Sequence, residues 1–93
     1  GVYAVVASKG SVRFKAVANV GVRPTFNGGG LSVEAHILDY DGDILGETLQ
    51  LDFAERLRPE RRFKSEASLR AAILEDVNTA RETLDEEGLV KQA

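Results

Sequence analysis

The sequence predicts a mainly β domain, in which an antiparallel sheet is followed by one amphipathic helix. Two observations lead to this prediction. Apolar and polar residues alternate with a period of two through the first two thirds of the chain, and the spacing becomes helical after Ser65. Alternation with one apolar face is typical of antiparallel sheets. A sheet this small can remove its exposed edges by curling into a barrel, with the helix covering part of it.

The strand pattern recurs in four stretches, whose apolar positions fall within 3–7, 12–20, 31–37 and 49–53. Residues 8–11 separate the first two stretches and have turn chemistry, because Gly10 accepts a left-handed backbone conformation. Residues 21–30 contain Pro24 and three consecutive glycines, and are expected to form a loop. The strands are therefore expected within residues 1–53.

The helix is expected at about 65–87. Its apolar positions recur at helical spacings, at Leu69, Ile73, Val77, Ala80 and Leu84. Ser65 is a suitable N-cap, because its hydroxyl can accept a hydrogen bond from a backbone N–H of the first turn. Gly88 is expected to end the helix, since glycine readily takes the left-handed conformation that follows helices.

Composition is typical of a globular domain and excludes several kinds of site. The 93 residues are 43% hydrophobic and 29% charged, which suits one domain with a modest core. The chain has no cysteine, so disulfides and thiolate metal sites are excluded. The net charge of −3 gives no overall attraction to nucleic acid or anionic membranes, and the apolar runs are too short to span a bilayer.

Glu34 is a candidate general base. It falls in the middle of a predicted strand, opposite the apolar positions, with His36 beside it on the same face. A carboxylate on a rigid strand has its geometry fixed before a substrate arrives. The alternative is a solvated outer face, where most glutamates are found.

Residues 56–63 form a basic segment with a single aromatic residue, Phe63. One interpretation is that the segment binds anionic groups, with Phe63 stacked against a flat ring. The other is that it is a solvated connector to the helix. Nucleic-acid-binding surfaces usually interleave several aromatic residues with their cations. The glycine-rich loop at 21–30 does not match a P-loop, and the acidic turn at 39–43 does not match an EF-hand, so no metal ligand is assigned.

Taken in order, the motifs resemble the riboflavin kinase family, which in bacteria forms the C-terminal module of the bifunctional riboflavin kinase/FAD synthetase. The matching segments are Gly-Val-Tyr at 1–3, Val-Ala-Asn-Val-Gly-Val-Arg-Pro-Thr-Phe-Asn at 17–27, Val-Glu-Ala-His-Ile-Leu-Asp at 33–39, Gly-Asp-Ile-Leu-Gly at 42–46, Arg-Leu-Arg-Pro-Glu-Arg-Arg-Phe-Lys-Ser at 56–65, and Asp76, Ala80 and Arg81 in the helix. The resemblance covers essentially the whole chain.

The resemblance implies a six-stranded Greek-key barrel with a C-terminal helix, which phosphorylates riboflavin to FMN with Mg²⁺-ATP. Glu34 matches the base that takes the proton from the ribityl 5′-hydroxyl. The implied flavin contacts are Arg58, Arg61 and Phe63, and the implied ATP contacts are Ile37, Asp39 and Leu45. The family usually has Tyr in place of Leu45. The resemblance further implies a cytoplasmic protein with an N-terminal FAD synthetase domain in the parent chain, and no nucleic-acid or membrane partner.

One family motif is absent from this sequence. Pro-Thr-x-Asn holds Mg²⁺ and phosphate in the family and lies upstream of the first strand seen here, whereas Thr25 and Asn27 belong to a later motif. The domain at 1–93 is therefore expected to lack its first strand and its main metal ligands, and to be weak or inactive alone. Two alternatives stay open: a flavin- or nucleotide-binding fragment without catalysis, and a small nucleic-acid-binding barrel.

Overall fold

The structure is a computed structural model that describes residues 1–23, 30–40 and 48–91. Its elements are β1 (Val2–Lys9), β2 (Val12–Arg23), β3 (Gly30–Ile37), β4 (Gln50–Arg58) and α1 (Glu66–Thr83). The four strands pair antiparallel in the order β3-β2-β1-β4. The prediction of a mainly β antiparallel domain with a C-terminal helix is confirmed. Among the described strands, β3 and β4 form the sheet edges, so closure into a six-stranded barrel stays a prediction.

Strand β1 is buried on both faces of the sheet. One face carries a cluster of Val5, Ala7, Ala16, Ala18 and Ile37. On the other face, a cluster that joins sheet and helix contains Val2, Ala4, Val17, Leu38, Val77, Ala80 and Leu84. The expectation of one apolar and one solvated face is therefore wrong for the centre of the sheet, because α1 covers the second face.

The apolar pattern of β3 is only partly buried. Leu31 is 72% exposed and Val33 is 48% exposed, whereas Ile37 at the end of the strand is 8% exposed. The alternation predicts one shared, buried face for these residues. They do share a face, but β3 has a single neighbouring strand among the described residues, so the residues far from β1 gain little cover.

Helix α1 begins as predicted and ends earlier than predicted. Ser65 is the N-cap, and its Oγ accepts a hydrogen bond from the Ser68 backbone N–H at 3.2 Å. The helix ends at Thr83 rather than at 87, because Leu84 is extended and forms an antiparallel bridge with Val90. Gly88 lies in the intervening turn, not at the helix end. No helix in the described ranges is both long and apolar enough to cross a membrane.

Strand β4 continues to Arg58, beyond the expected limit of 53. Its pairing with β1 shifts register twice, between Val2 and Tyr3 and between Ala4 and Val5. A bulge moves the following side chains out of phase with the alternation. The period of two is therefore lost after Phe53, which is why the sequence pattern of the basic segment resembles a connector although its first residues form a strand.

Gly88 is expected to be sensitive to substitution. Its φ is +82°, and a Cβ at this position would lie 2.7 Å from Cγ2 of the buried Val6. Gly88→Ala should lower the free energy of unfolding by about 2–4 kcal/mol, from the left-handed backbone and the overlap together. The measurement is urea-induced unfolding.

Gly10→Ala is the matched control, since Gly10 has φ +59° but no atom lies within 4 Å of the position that an added methyl group would occupy. It should lose only the backbone contribution of about 1–2 kcal/mol. Equal losses in the two variants would contradict the packing of the 85–90 turn against β1.

Candidate functional site

A cavity of about 660 Å³ lies between the helix-covered face of the sheet and the segment that joins β4 to α1. The sheet contributes Val2, Val17, Asn19, Glu34 and His36 to its lining. The end of β4 contributes Arg58, and the connecting segment and the helix contribute Glu60, Arg61, Phe63, Leu69, Ile73 and Asp76. One wall of the cavity is therefore formed by residues of β1, β2 and β3, and the other by residues from Arg58 onward.

Strand pairing places Glu34 at this cavity. Glu34 lies opposite Asn19, and His36 lies opposite the buried Val17. Directly opposed residues of an antiparallel pair project from the same face. Glu34 and His36 are therefore on the same face of the sheet as α1, and both are exposed residues that line the cavity.

Asn19 brings an unsatisfied polar atom to the same place. Its Oδ1 is buried and has no hydrogen-bond partner within the described residues. Buried acceptors are nearly always paired, because an unpaired one loses its hydration without compensation. A donor group beside Glu34 would remove that cost.

Leu69 and Ile73 form an apolar part of the helix wall. They belong to the same helical stripe as the buried Val77 and Ala80, but they are 41% and 37% exposed. The stripe is longer than the core it covers, and its N-terminal part faces the cavity. The sequence pattern predicts core positions for both residues, and the structure instead places them at the cavity.

Arg58 and Asp76 form an ion pair that fastens the end of β4 to the middle of α1. Arg58 Nε and Nη2 donate to the two carboxylate oxygens of Asp76 at 2.8 and 2.7 Å. Asp76 is 6% exposed, and is a buried charged residue on an otherwise apolar helix face. The hydrogen-bonded carboxylate raises the pKa of Arg58. Bidentate geometry of this kind fixes the guanidinium plane.

Phe63 lies close to two cations. The Arg61 guanidinium carbon is 5.0 Å from the centre of the Phe63 ring, and that of Arg58 is 5.9 Å away. Both distances are within the range of cation–π attraction. Arg58, Arg61 and Phe63, for which the family resemblance implies flavin binding, therefore form one group on the cavity wall opposite Glu34.

Glu60 is a cavity residue that the sequence did not indicate. A Cβ on the buried Gly21 would overlap the Glu60 carboxylate, so the Glu60 side chain lies directly against the backbone of β2. The contact brings the connecting segment down onto β2 at one end of the cavity. The sequence pattern assigns Gly21 to the loop expected at 21–30, whereas β2 continues through it to Arg23, and residues 24–29 of that loop lie outside the described residues.

Two of the three residues with implied ATP contacts, Ile37 and Asp39, are described and do not line this cavity. Ile37 is buried in the cluster on the other face of the sheet. Asp39 follows β3 with φ +56°, and Arg81 donates two hydrogen bonds to its carboxylate at 2.6 and 2.7 Å. Arg81 thereby lowers the pKa of Asp39. Leu45 lies outside the described residues.

The part of the chain that the structure describes contains no group of three or more His, Cys, Asp or Glu side chains that could hold a metal ion. Glu34 and Glu60 both line the cavity, without a third acidic or histidine ligand among the described residues placed to complete a site with them.

Comparison with known proteins gives consistent matches. Residues 1–84 match the family model described as flavokinase, riboflavin kinase. The chain is 43% identical over 82 residues to the bifunctional riboflavin kinase/FMN adenylyltransferase of Pseudomonas fluorescens, covering 87% of the chain and 26% of the relative. It is 42% identical over 94 residues to the protein of that name from Escherichia coli K12, covering 100% of the chain and 29% of the relative.

A solved structure has a similar fold. The crystal structure of a Streptococcus pneumoniae protein named as a macrolide-efflux protein aligns with a TM-score of 0.79 and 32% identity, over 87% of this chain and 27% of that one. The chain thus spans between a quarter and a third of the length of each of these proteins.

The ion pair between Asp39 and Arg81 predicts a pH-dependent contribution to stability. Because the pKa of Asp39 is lower in the folded chain than its ordinary value of 3.8, the contribution is present above 3.8 and is lost as the pH falls through the folded pKa. Asp39→Asn should therefore destabilise the chain at neutral pH, and the difference should shrink in acid.

The measurement is urea unfolding of both chains at neutral pH and at a pH well below 3.8. Asp52→Asn, a change at another exposed aspartate, serves as the control. A difference between Asp39→Asn and the unaltered chain that stays constant with pH would contradict the prediction.

Proposed function

The chain belongs to the riboflavin kinase family, and from this premise we propose that it phosphorylates riboflavin at the ribityl 5′-hydroxyl to give FMN and ADP. The observation that supports the proposal most directly is the cavity with Glu34 on one wall and the group of Arg58, Arg61 and Phe63 on the other. Since the curated relatives are named as bifunctional enzymes and are much longer, we also propose an FMN adenylyltransferase domain in the parent chain.

The walls suit a flat, largely apolar ring system. Phe63, Leu69 and Ile73 offer apolar surface on one side, and the volume of about 660 Å³ is typical of a small-molecule site. Arg58 and Arg61 beside Phe63 can stack on a planar ring or donate hydrogen bonds to its carbonyl oxygens. We place the isoalloxazine ring here, with the ribityl chain directed toward β3.

In this arrangement Glu34 acts as the general base. It accepts the proton of the ribityl 5′-hydroxyl as that oxygen bonds to the γ-phosphorus of ATP and the bond from phosphorus to the β–γ bridging oxygen breaks, releasing ADP. Asn19, opposite Glu34, supplies an acceptor that has no partner within the described residues, and the ribityl hydroxyls are donors. Phosphoryl transfer needs mainly such positioning together with neutralisation of phosphate charge.

We propose that ATP binds beyond the end of β3, in contact with Asp39, and that Leu45 contributes to the same site. Asp39 is exposed there and held by Arg81, whereas the buried side chain of Ile37 would shape the site from beneath. Mg²⁺ enters as part of the ATP substrate and would supply charge neutralisation. The described residues alone do not form a metal site, so no step is assigned to protein-bound metal.

Glu34→Gln should abolish FMN formation while riboflavin binding is kept, because the amide cannot accept the hydroxyl proton but has nearly the same shape. A loss of about 10²–10⁴-fold in turnover is typical when a general base is removed. FMN is measured by chromatography after incubation with riboflavin, ATP and Mg²⁺.

Turnover is compared for the 93-residue chain and for the same sequence preceded by a family segment that carries Pro-Thr-x-Asn. Riboflavin binding is followed separately by quenching of its fluorescence. Glu55→Gln, at an exposed position on β4 outside the cavity lining, is the matched control. FMN formation that persists in Glu34→Gln would refute the assignment of the base. Binding without FMN in either chain would favour the non-catalytic alternative.

Phe63→Ala should weaken riboflavin binding about tenfold, since aromatic stacking on a planar base typically contributes ~1–3 kcal/mol. Leu74→Ala is the control, because Leu74 is a 65% exposed residue of α1 that does not line the cavity. Dissociation constants come from the same fluorescence titration. Equal affinities for Phe63→Ala and the unaltered chain would contradict the placement of the flavin ring against this wall.

A further inference from the structure

The cavity has an unequal distribution of charge that the proposed reaction does not explain. Arg58, Arg61 and Arg62 all line it, but Arg58 alone of the three has a carboxylate partner within the described residues, the buried Asp76. We propose that Asp76 determines the preference of the cavity for a neutral over a phosphorylated flavin, by cancelling the charge of Arg58. The inference rests on the proposed function, because it takes the cavity as the flavin site.

The geometry makes the Arg58–Asp76 pair a hydrogen-bond donor without a net charge. Three of its five N–H bonds are engaged, two with the Asp76 carboxylate and one, from Nη1, with the Pro59 carbonyl oxygen at 3.1 Å. One N–H on Nη1 and one on Nη2 are left over for a ligand. Because Asp76 is 6% exposed, water screens the pair weakly, and the carboxylate offsets the guanidinium charge at short range.

Arg61 differs from Arg58 in both respects. Its guanidinium lies 5.0 Å from the Phe63 ring centre, and no carboxylate of the described residues is within salt-bridge distance of it. Arg61 is also exposed, so water screens its charge more strongly. The least screened cation at the cavity is therefore the one that the fold has neutralised.

The substrate and product of the proposed reaction differ in charge at one end. Riboflavin is neutral, whereas FMN carries a phosphate group of about −1.5 to −2 at neutral pH. The phosphate lies at the ribityl end, away from Arg58, but a poorly screened cation still attracts it at long range and so favours FMN over riboflavin. A neutral Arg58–Asp76 pair can donate hydrogen bonds to the flavin ring, which riboflavin and FMN have in common. It does so without strengthening the binding of FMN over that of riboflavin.

The test compares the affinities of riboflavin and FMN, each measured by fluorescence quenching, in the unaltered chain and in Asp76→Asn. The amide keeps the size of the side chain but leaves Arg58 charged. The ratio of FMN affinity to riboflavin affinity is expected to rise about tenfold at low salt, and to rise less as salt is added. A general loosening of the fold would lower both affinities together.

Two further variants separate charge from structure. Glu75→Gln removes a neighbouring helix carboxylate that is exposed and affects Arg58 only weakly, so the ratio should change less than about twofold. The neutral pair Arg58→Gln with Asp76→Asn should return the ratio to that of the unaltered chain. Arg58→Gln alone leaves Asp76 unpaired and should lower the ratio, and it supplies the test if Asp76→Asn fails to fold.

An unchanged ratio in Asp76→Asn, or an elevated ratio that the neutral pair does not restore, would overturn the inference. In that case riboflavin binding and the Glu34-dependent formation of FMN would still support the proposed function. Failure of the unaltered chain to bind riboflavin would overturn both.

Discussion

Strand β1 lies between β2 and β4, and its side chains are buried on both faces of the sheet. Val5 and Ala7 are covered on one face, whereas Val2 and Ala4 are covered by α1 on the other. A buried valine contributes roughly 1.5–3 kcal/mol relative to an exposed one, so neither face of this strand can be left to water. The helix must therefore lie across the sheet, and the uncovered remainder of that face becomes the cavity. Val2 lies at the junction, with Asn19 and Arg58 as its partners on either side.

Two bidentate ion pairs fix how the helix lies on the sheet. Asp76 ties its middle to the end of β4, and Arg81 ties its last turn to Asp39 beyond β3. The two pairs differ in what they contribute. Asp39 and Arg81 are exposed, so their attraction is screened and small. The Arg58–Asp76 pair is largely buried, where removal of one partner would leave an uncompensated charge, and it contributes geometric definition more than stability.

The features that could be predicted from the sequence are those that depend on local chemistry. Alternation, the Ser65 cap and the helical stripe are each set by near neighbours, and each is present in the structure. The end of β4 could not be predicted because bulges break the alternation, and the end of α1 could not because Leu84 leaves the helix to pair with Val90. These outcomes depend on contacts between distant segments. The same holds at the site. Arg58 and Phe63 were identified by resemblance, but the partner of Arg58 and the position of Leu69 at the cavity could be identified only from the folded structure.

The strand order β3-β2-β1-β4 also governs how the domain assembles. A short turn at Gly10 and Ser11 joins β1 to β2, so this hairpin closes at little entropic cost. Strand β4 must instead return from far along the chain to pair with β1, and such long-range pairings form slowly. Arg58 lies at the end of β4 and Phe63 in the segment after it, so both reach their positions only after β4 has paired with β1. A refolding chain can therefore form its hairpin without forming the cavity, whose second wall depends on the pairing of β4.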